Sequence, residues 1–193
     1  NPTAGGTVSG GGIYVQGATA SLSATANEGY TFVNWTNAEG EVVSTEASYT
    51  TRAIQGDSTY TANYNINVSV SAVNGSAVIS SHNNATSGNY QQGTSLTLIA
   101  TATEGYGFVN WTKNGAVIEG DEEITVTVDV PAEYVAHFAQ YTITANDNPD
   151  GSATTITGVG SYAHGATATL TAEAATGYTF VNWTNAEGEV VST

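Results

Sequence analysis

Strict alternation of apolar and polar residues is the dominant pattern along this chain. In residues 18–26 (ATASLSATA) every second residue is alanine or leucine, with serine or threonine between them. This is the period-two signature of a half-buried β-strand. Similar alternation occurs at 96–102, 166–172, 59–72 and 123–130. Ala, Leu, Glu and Lys never gather at helical spacing, so we predict an all-β chain.

An aromatic motif occurs three times and divides the alternating segments into repeats. GYTFVNWT stands at 29–36 and 177–184, and GYGFVNWT stands at 105–112. Successive tryptophans are 76 and 72 residues apart, too far for a solenoid unit and about right for a small domain. We therefore predict three domains: repeat 1 (residues 1–64), which lacks its first strand, a complete repeat 2 (65–139), and repeat 3 (140–193), which lacks its last strands.

Nine aromatic side chains of these motifs are the predicted core. Small residues on the inward face of each alternating strand leave room for large rings opposite, and burying one such ring contributes roughly 1.5–3 kcal/mol. The predicted core residues are Tyr30, Phe32, Trp35, Tyr106, Phe108, Trp111, Tyr178, Phe180 and Trp183. Upstream of each motif a G-x-Y-x-x-G turn carries a tyrosine that we expect to cover the turn; these are Tyr14, Tyr90 and Tyr162.

The junctions between repeats predict how the domains are joined. Residues 59–72 alternate without any Gly, Pro or Ser-rich linker, so one strand is expected to run from repeat 1 into repeat 2 as a stiff joint. Around residues 134–145 the apolar parity shifts by one position, which predicts a bulge or short bend. Asn114-Gly115 is a hairpin signal, because a type I′ turn needs positive φ at both central positions.

Residues 177–193 are identical to residues 29–45 over 17 positions. This identity indicates a recent duplication within a longer array, from which the 193 residues are expected to be a window. The alternative is that a neighbouring molecule supplies the missing strands, which predicts self-association through the incomplete terminal repeats.

Charge and composition exclude several partners. Arg52 and Lys113 are the only basic residues against seventeen acidic ones, giving a net charge of −15. Nucleic-acid binding relies on neutralising phosphates with Lys and Arg, so nucleic acid is excluded as a partner. No apolar run approaches 18 residues, so no membrane insertion is expected within this segment. The chain has no cysteine, which rules out disulfides and cysteine-ligated metal sites.

Candidate catalytic and metal-binding residues do not recur with the repeat. His82, His137 and His164 fall at three different aligned positions, and no G-x-S-x-G elbow or buried lysine pattern is present. Acidic segments at 121–123 and 146–151 offer oxygen ligands for a weak calcium site, but turn chemistry explains both segments and is the favoured interpretation. We expect no enzyme activity, no catalytic residue, no metal and no cofactor.

The motifs together resemble a known family. G-x-Y-x-x-G, an alternating strand, E-G-Y-x-F-x-x-W and a closing T-Y-x-A-x-Y/F pattern are similar to the divergent internalin-type B-repeat, also called the bacterial or Listeria-Bacteroides repeat domain. The closing pattern is matched by Tyr60, Ala62 and Tyr64, and by Tyr134, Ala136 and Phe138. The resemblance implies a compact β-grasp-like or β-sandwich module, repeated in tandem in bacterial cell-surface or secreted proteins. It implies a role as a stalk or interaction repeat and supplies no catalytic residues.

Three functions follow as hypotheses. The first is a non-enzymatic spacer, in which the domains lie end to end as an elongated rod that carries an adhesin's distal part away from the cell. The second is a module that binds a glycan or a host or bacterial surface protein, with Tyr14, Tyr90 and Tyr162 as candidate contacts. The third is a strand-exchanging filament subunit.

Overall fold

The computed structural model describes residues 4–193 and is all-β, as predicted. Repeat 1 holds β1 (Gly6–Ser9), β2 (Ser21–Ala26), β3 (Tyr30–Thr36), β4 (Val42–Ser44) and β5 (Ser48–Thr50). β6 (Thr61–Val73) begins in repeat 1 and ends in repeat 2. Repeat 2 continues with β7 (Gly75–Ile79), a 3-10 turn (Ser80–His82), β8 (Ser87–Tyr90), β9 (Ser95–Ala102), β10 (Gly107–Lys113), β11 (Ala116–Ile118) and β12 (Glu123–Thr127). β13 (Ala132–Ile143) leads into repeat 3, which holds β14 (Ala153–Thr157), β15 (Gly160–Ala163), β16 (Thr171–Ala174), β17 (Trp183–Thr184) and β18 (Val190–Ser192).

The chain forms two compact units. The first contains residues 4–101 together with Asn110–His137, and the second contains Ala102–Val109 together with Phe138–Thr193. The boundaries of these units do not coincide with the boundaries of the sequence repeats. The repeat boundaries given above therefore stay a prediction.

β6 organises the first unit because it pairs with three other strands. β3 runs antiparallel to its first half, β13 runs parallel to its second half, and β8 runs antiparallel to its middle. Ile66 pairs with both β3 and β8, and Val68 pairs with both β13 and β8. Since a residue has only two edges, β3 and β13 lie end to end along one edge of β6, and β8 lies along the other.

Two smaller sheets in this unit carry the alternating segments. Their strand orders are β1-β2-β5 in repeat 1 and β12-β9-β7 in repeat 2. The predicted parity is confirmed, since Ala20, Leu22 and Ala24 are buried while the intervening serines are exposed. In repeat 1 these residues form one core cluster with Trp35, Ala62 and Tyr64. Tertiary burial on one face thus explains why the period is two.

The hairpin turn at Asn114-Gly115 is present, with φ of 50° and 82° at the two residues. It joins β10 to β11 in the register Lys113↔Ala116. The backbone of Asn114 adopts this conformation at little cost because asparagine tolerates the left-handed region. The predicted type of turn is therefore confirmed.

The second unit has shorter strands. β14 pairs with β16 through a register irregularity at Ala153/Thr155, and β17 pairs with β18. β15 pairs with the end of β13 without an irregularity, so the bulge predicted near residues 134–145 is not found in that pairing. The parity shift is expressed instead as a loss of burial: Phe138 is buried, whereas Tyr141 is 56% exposed.

Candidate functional site

The aromatic motif is the centre of the fold in repeats 1 and 2. Trp35 and Trp111 are 2% and 0% exposed. Each indole N–H donates to a backbone carbonyl in the loop before the next strand. Trp35 donates to Ala47, just before β5 (3.2 Å), and Trp111 donates to Asp121, just before β12 (3.0 Å). The four other predicted core residues of these repeats, Tyr30, Phe32, Tyr106 and Phe108, are half-buried. A buried ring with its polar N–H satisfied is the arrangement that lets tryptophan stabilise a small core.

The third repeat differs from the predicted core. Tyr178 and Phe180 are 48% and 43% exposed, and Trp183 is only half-buried. In the described residues β17 pairs only with β18, whereas β3 and β10 each also pair with β6 or β13, and this second pairing accompanies the burial of Trp35 and Trp111. The rings of repeat 3 therefore contact each other, at 5.6 Å between Phe180 and Trp183, without a cover.

The joint between repeats 1 and 2 is centred on Asn67, where the starts of β3 and β13 meet along β6. The Asn67 N–H donates to the carbonyl of Gly29 (2.9 Å), and its side-chain oxygen accepts from the Thr31 hydroxyl (3.0 Å). A Cβ on Gly29 would lie 2.5 Å from the Pro131 Cβ. Gly29 also has φ of +78°, so two independent constraints require glycine here.

The Asn114 turn closes this joint from the repeat 2 side. Asn114 donates through its side-chain amide to the carbonyl of Pro131 (3.2 Å), and its side-chain oxygen accepts from the Glu133 N–H (2.8 Å). Pro131 is thereby held at the start of β13, facing Gly29. Sequence analysis identified the turn but not this second role, because the partner lies 17 residues away.

The asparagine that precedes each buried tryptophan, Asn34 or Asn110, has different hydrogen bonding in the two repeats. In repeat 1 the Asn63 amide donates to the side-chain oxygen of Asn34 (2.8 Å) and to the Thr36 hydroxyl (3.2 Å). In repeat 2 the residue equivalent to Asn63 is His137, which bonds the Thr112 hydroxyl (3.2 Å). Among the described residues the buried side-chain oxygen of Asn110 has no hydrogen-bond partner. One histidine therefore leaves an acceptor unsatisfied.

Lys113 and Asp129 form an ion pair on repeat 2, with 3.1 Å between Nζ and Oδ1. Burial acts to lower the pKa of Lys113, but the hydrogen bond to Asp129 and the charges of Asp129 and Tyr134 raise it above its usual value. The hydrogen bond from Lys113 holds the pKa of Asp129 below its usual value. Both shifts favour the charged pair, although the 62% exposure of Asp129 keeps its energy small.

The three histidines lie beside three different neighbours. His82 packs edge-on against Tyr90, His137 bonds Thr112, and His164 packs near Tyr141. Over residues 4–193, no group of three or more His, Cys, Asp or Glu side chains is placed to hold a metal. Asp147 instead accepts the Ala153 N–H (2.9 Å), and this bond lowers the pKa of its carboxyl. The turn interpretation of segment 146–151 has direct support.

The three candidate binding tyrosines have three different environments. Tyr14 is 38% exposed and donates to the Gly10 carbonyl (2.7 Å), and half-buried Tyr162 makes the same bond to Gly158 (2.6 Å). Tyr90 is 8% exposed, and burial raises the pKa of its hydroxyl. They do not form a binding surface that repeats with the sequence.

Comparison with known proteins agrees with the repeat pattern. No helix in the described part of the chain has the length and hydrophobicity needed to cross a bilayer. No curated protein and no solved structure matches the chain. The family model of the divergent InlB B-repeat domain matches three times, over residues 1–68, 66–140 and 141–193. Since these matches cover the chain, it belongs to the divergent InlB B-repeat family, a repeat family typical of bacterial surface proteins.

Proposed function

We propose that this chain is a non-enzymatic spacer in the extracellular part of a bacterial adhesin. The observation that carries the proposal is β6, a single 13-residue strand that is shared by two consecutive repeats. A flexible linker would let neighbouring domains reorient freely. A shared strand with neighbours on both edges restrains them instead.

The contacts at Asn67 add to this restraint. Bending β6 at the joint would separate Asn67 from Gly29 and Pro131 from Gly29, and would break the side-chain bond to Thr31. The acidic composition, with net charge −15, favours solubility and mutual repulsion of crowded chains. Both properties suit a spacer.

A distance measurement across the joint tests the proposal. Since the chain has no cysteine, spin labels attach only at introduced ones, and Glu39→Cys with Glu119→Cys places one exposed label on each repeat. Double electron–electron resonance is expected to give one narrow distance distribution. Inserting Gly-Ser-Gly-Ser between Asn67 and Val68 should broaden it strongly.

The same four residues inserted between Gly11 and Gly12, in an exposed loop of repeat 1, serve as the control and should leave the distribution narrow. A native distribution as broad as that of the Asn67 insertion would exclude a restrained joint and the spacer function with it. The end-to-end arrangement of all three repeats stays a prediction. A radius of gyration well above about 16 Å, the value for one compact domain of this length, would support it.

A further inference from the structure

A polar groove of about 770 Å³ lies at the joint between repeats 1 and 2. We call it the joint groove. It is lined by β6 and β8, together with the residues just before β3 and those at the start of β13. Besides Asn114, its polar side chains are Glu28, Asn67, Ser69, Ser87, Asn89 and Glu133. Both repeats contribute to the groove, and its size falls within the range of clefts that hold ligands.

The sheet register places these polar side chains on one face. Ser69 of β6 pairs with Glu133 of β13 on one edge and with Ser87 of β8 on the other, so the three residues form a row across the sheet. Asn67 pairs with Asn89 in the next row of the same face, because side chains two residues apart along a strand share a face. The intervening valines of β6 are buried on the opposite face. The polar rows therefore face the groove rather than the core.

Much of the hydrogen-bonding capacity of these rows is not used within the protein. The side-chain oxygen of Asn67 accepts from the Thr31 hydroxyl, which leaves the amide nitrogen of Asn67 to donate elsewhere. Within residues 4–193, Asn89 and Glu133 bond neighbouring side chains only through their backbones. Both of these side chains are exposed, as is that of Glu28. A ligand in the groove would therefore meet donors and acceptors that are now satisfied by water alone.

The charge of the joint groove disfavours anionic ligands. Glu28 and Glu133 line it, and none of its described lining residues is basic. Because the chain has a net charge of −15, ligands with phosphate, sulfate or carboxylate groups are repelled. Calcium needs more oxygen ligands than two carboxylates provide, and over residues 4–193 no group of three or more His, Cys, Asp or Glu is placed to hold a metal. An organic cation fits this charge.

We propose that the joint groove binds an oligosaccharide whose sugars carry protonated amines. The amines donate charge-assisted hydrogen bonds to the carboxylates of Glu28 and Glu133. The sugar hydroxyls accept from the side-chain amide of Asn67 and exchange hydrogen bonds with the hydroxyls of Ser69 and Ser87. Both sets of contacts are needed, because a solvent-exposed carboxylate contributes little through charge alone. The occupant is an amino sugar oligomer rather than a neutral glycan or a simple polyamine.

Binding of a glucosamine tetramer to the full chain tests the proposal. At about pH 5.5 the amines of this sugar are protonated and ordinary glutamate side chains are ionised. Isothermal titration calorimetry should show saturable binding, and the bound sugar should raise the thermal midpoint of the protein. Absence of saturable binding would overturn the proposal.

Two matched ligands separate recognition of the amines from recognition of the hydroxyls. The N-acetylated tetramer keeps the sugar rings but has no cationic amine, whereas spermine keeps the same number of cationic amines but has no hydroxyl. Each should bind at least about tenfold more weakly than the glucosamine tetramer. Equal binding of the N-acetylated tetramer would indicate a neutral glycan site, and equal binding of spermine would indicate simple attraction to an acidic surface. Either result overturns the proposal.

Isosteric substitutions test the two carboxylates. Glu28→Gln and Glu133→Gln each remove one charge from the groove, and the bond from the Glu133 backbone N–H to Asn114 is kept. Each variant should weaken binding of the glucosamine tetramer about five- to tenfold. Glu39→Gln removes the same charge from an exposed turn of repeat 1 outside the groove and should leave binding unchanged. Equal weakening by Glu39→Gln, or unchanged binding by both groove variants, contradicts the proposed site.

The hydroxyl row is tested by Ser87→Ala, a change on the exposed face of β8. It should weaken binding of the glucosamine tetramer about threefold, because one hydrogen bond to the sugar is lost. Spermine binding should stay unchanged, since spermine has no hydroxyl to bond. An equal effect on both ligands, or no effect on either, would exclude a role for this row.

Nuclear magnetic resonance locates the bound sugar. Titration with the glucosamine tetramer should shift the side-chain amide signals of Asn67 and Asn89, which line the groove. The side-chain amide signal of Asn185, which bonds Glu189 in a turn of repeat 3, should stay in place. Shifts confined to the acidic segment 121–123 would place the sugar outside the joint groove and overturn the proposal.

Discussion

Residues 29–45 and 177–193 have the same sequence but not the same structure. Their hairpin turns agree almost bond for bond. Asn37 bonds the backbone and side chain of Glu41 at 2.8–3.0 Å, and Asn185 bonds Glu189 in the same way at 2.9–3.0 Å. A turn held by contacts four residues apart forms wherever its sequence occurs.

The strands on either side of these turns do not agree. β3 has seven residues, whereas β17 has two. Phe32 packs against Tyr64 at 5.9 Å in repeat 1, but Phe180 is 43% exposed. The difference follows the pairing: β3 also pairs with β6, whereas β17 pairs only with β18 among the described residues. One hairpin buries too little apolar surface to be stable alone.

Adding a strand that can pair with β17 should produce the largest change in backbone protection. We expect that residues 46–64 appended after Thr193 would extend β17 over 178–184 and bury Phe180 as Phe32 is buried. Amide hydrogen exchange of residues 178–184 should slow roughly hundredfold. Exchange now needs only local opening of a short strand, whereas in the extended sheet it would need a larger unfolding event. A scrambled 46–64 segment is the control, and equal protection with both segments would contradict the comparison.

Truncating the two equivalent tryptophans should give unequal losses. Trp35→Ala is expected to lower the free energy of unfolding by about 3–5 kcal/mol, the range for large aromatic rings in a packed core. Trp183→Ala should lower the free energy of unfolding by about 1 kcal/mol or less, because the half-buried Trp183 ring buries little apolar area. Urea unfolding followed by circular dichroism gives both values. Equal losses would show that repeat 3 is as well packed as repeat 1.

Repeat 2 departs from the motif at Gly107, where the other repeats have threonine. A Cβ at this position would collide with the backbone of His164. We therefore expect Gly107→Thr to destabilise by about 1–3 kcal/mol, although threonine is the better strand former. Thr179→Gly, the reverse change at the exposed equivalent in repeat 3, should stay within about 0.5 kcal/mol. Stabilisation by Gly107→Thr in thermal unfolding would disprove the steric explanation.

Exchanging the residues beside the tryptophans should move stability in opposite directions. His137→Asn gives Asn110 the donor that Asn34 has in repeat 1, and is expected to stabilise by about 1 kcal/mol. Asn63→His should destabilise by a similar amount, because Asn34 would lose its donor. Both are measured by denaturant unfolding. If both substitutions shifted the free energy of unfolding in the same direction, a contact other than this hydrogen bond would control the difference in stability.

The Lys113–Asp129 pair should give the smallest effect. Because the pKa of Asp129 is lowered on folding, its contribution is present above the unfolded pKa and is lost as pH falls through the folded pKa. Because the pKa of Lys113 is raised, its contribution is present below the unfolded pKa and is lost as pH rises through the folded pKa. Lys113→Met should therefore cost about 0.5 kcal/mol or less at pH 7 and nothing near pH 2. An equal cost at both values would assign the effect to packing.

Much of the fold was predictable because it is local. Alternation located β2, β9 and β6, and the Asn114-Gly115 signal located a turn. Long-range placement was not predictable in the same way. The contact of Gly29 with Pro131 and the approach of His164 to Gly107 join residues far apart in sequence.

The shared strand β6 also affects how the protein unfolds. Removing β6 from its sheets takes the closing strand from one domain and an inner strand from the next in a single event. We therefore expect repeats 1 and 2 to unfold together rather than one at a time, as in repeat arrays governed by nearest-neighbour coupling. A chain built in this way gains cooperativity without a separate interface between its modules.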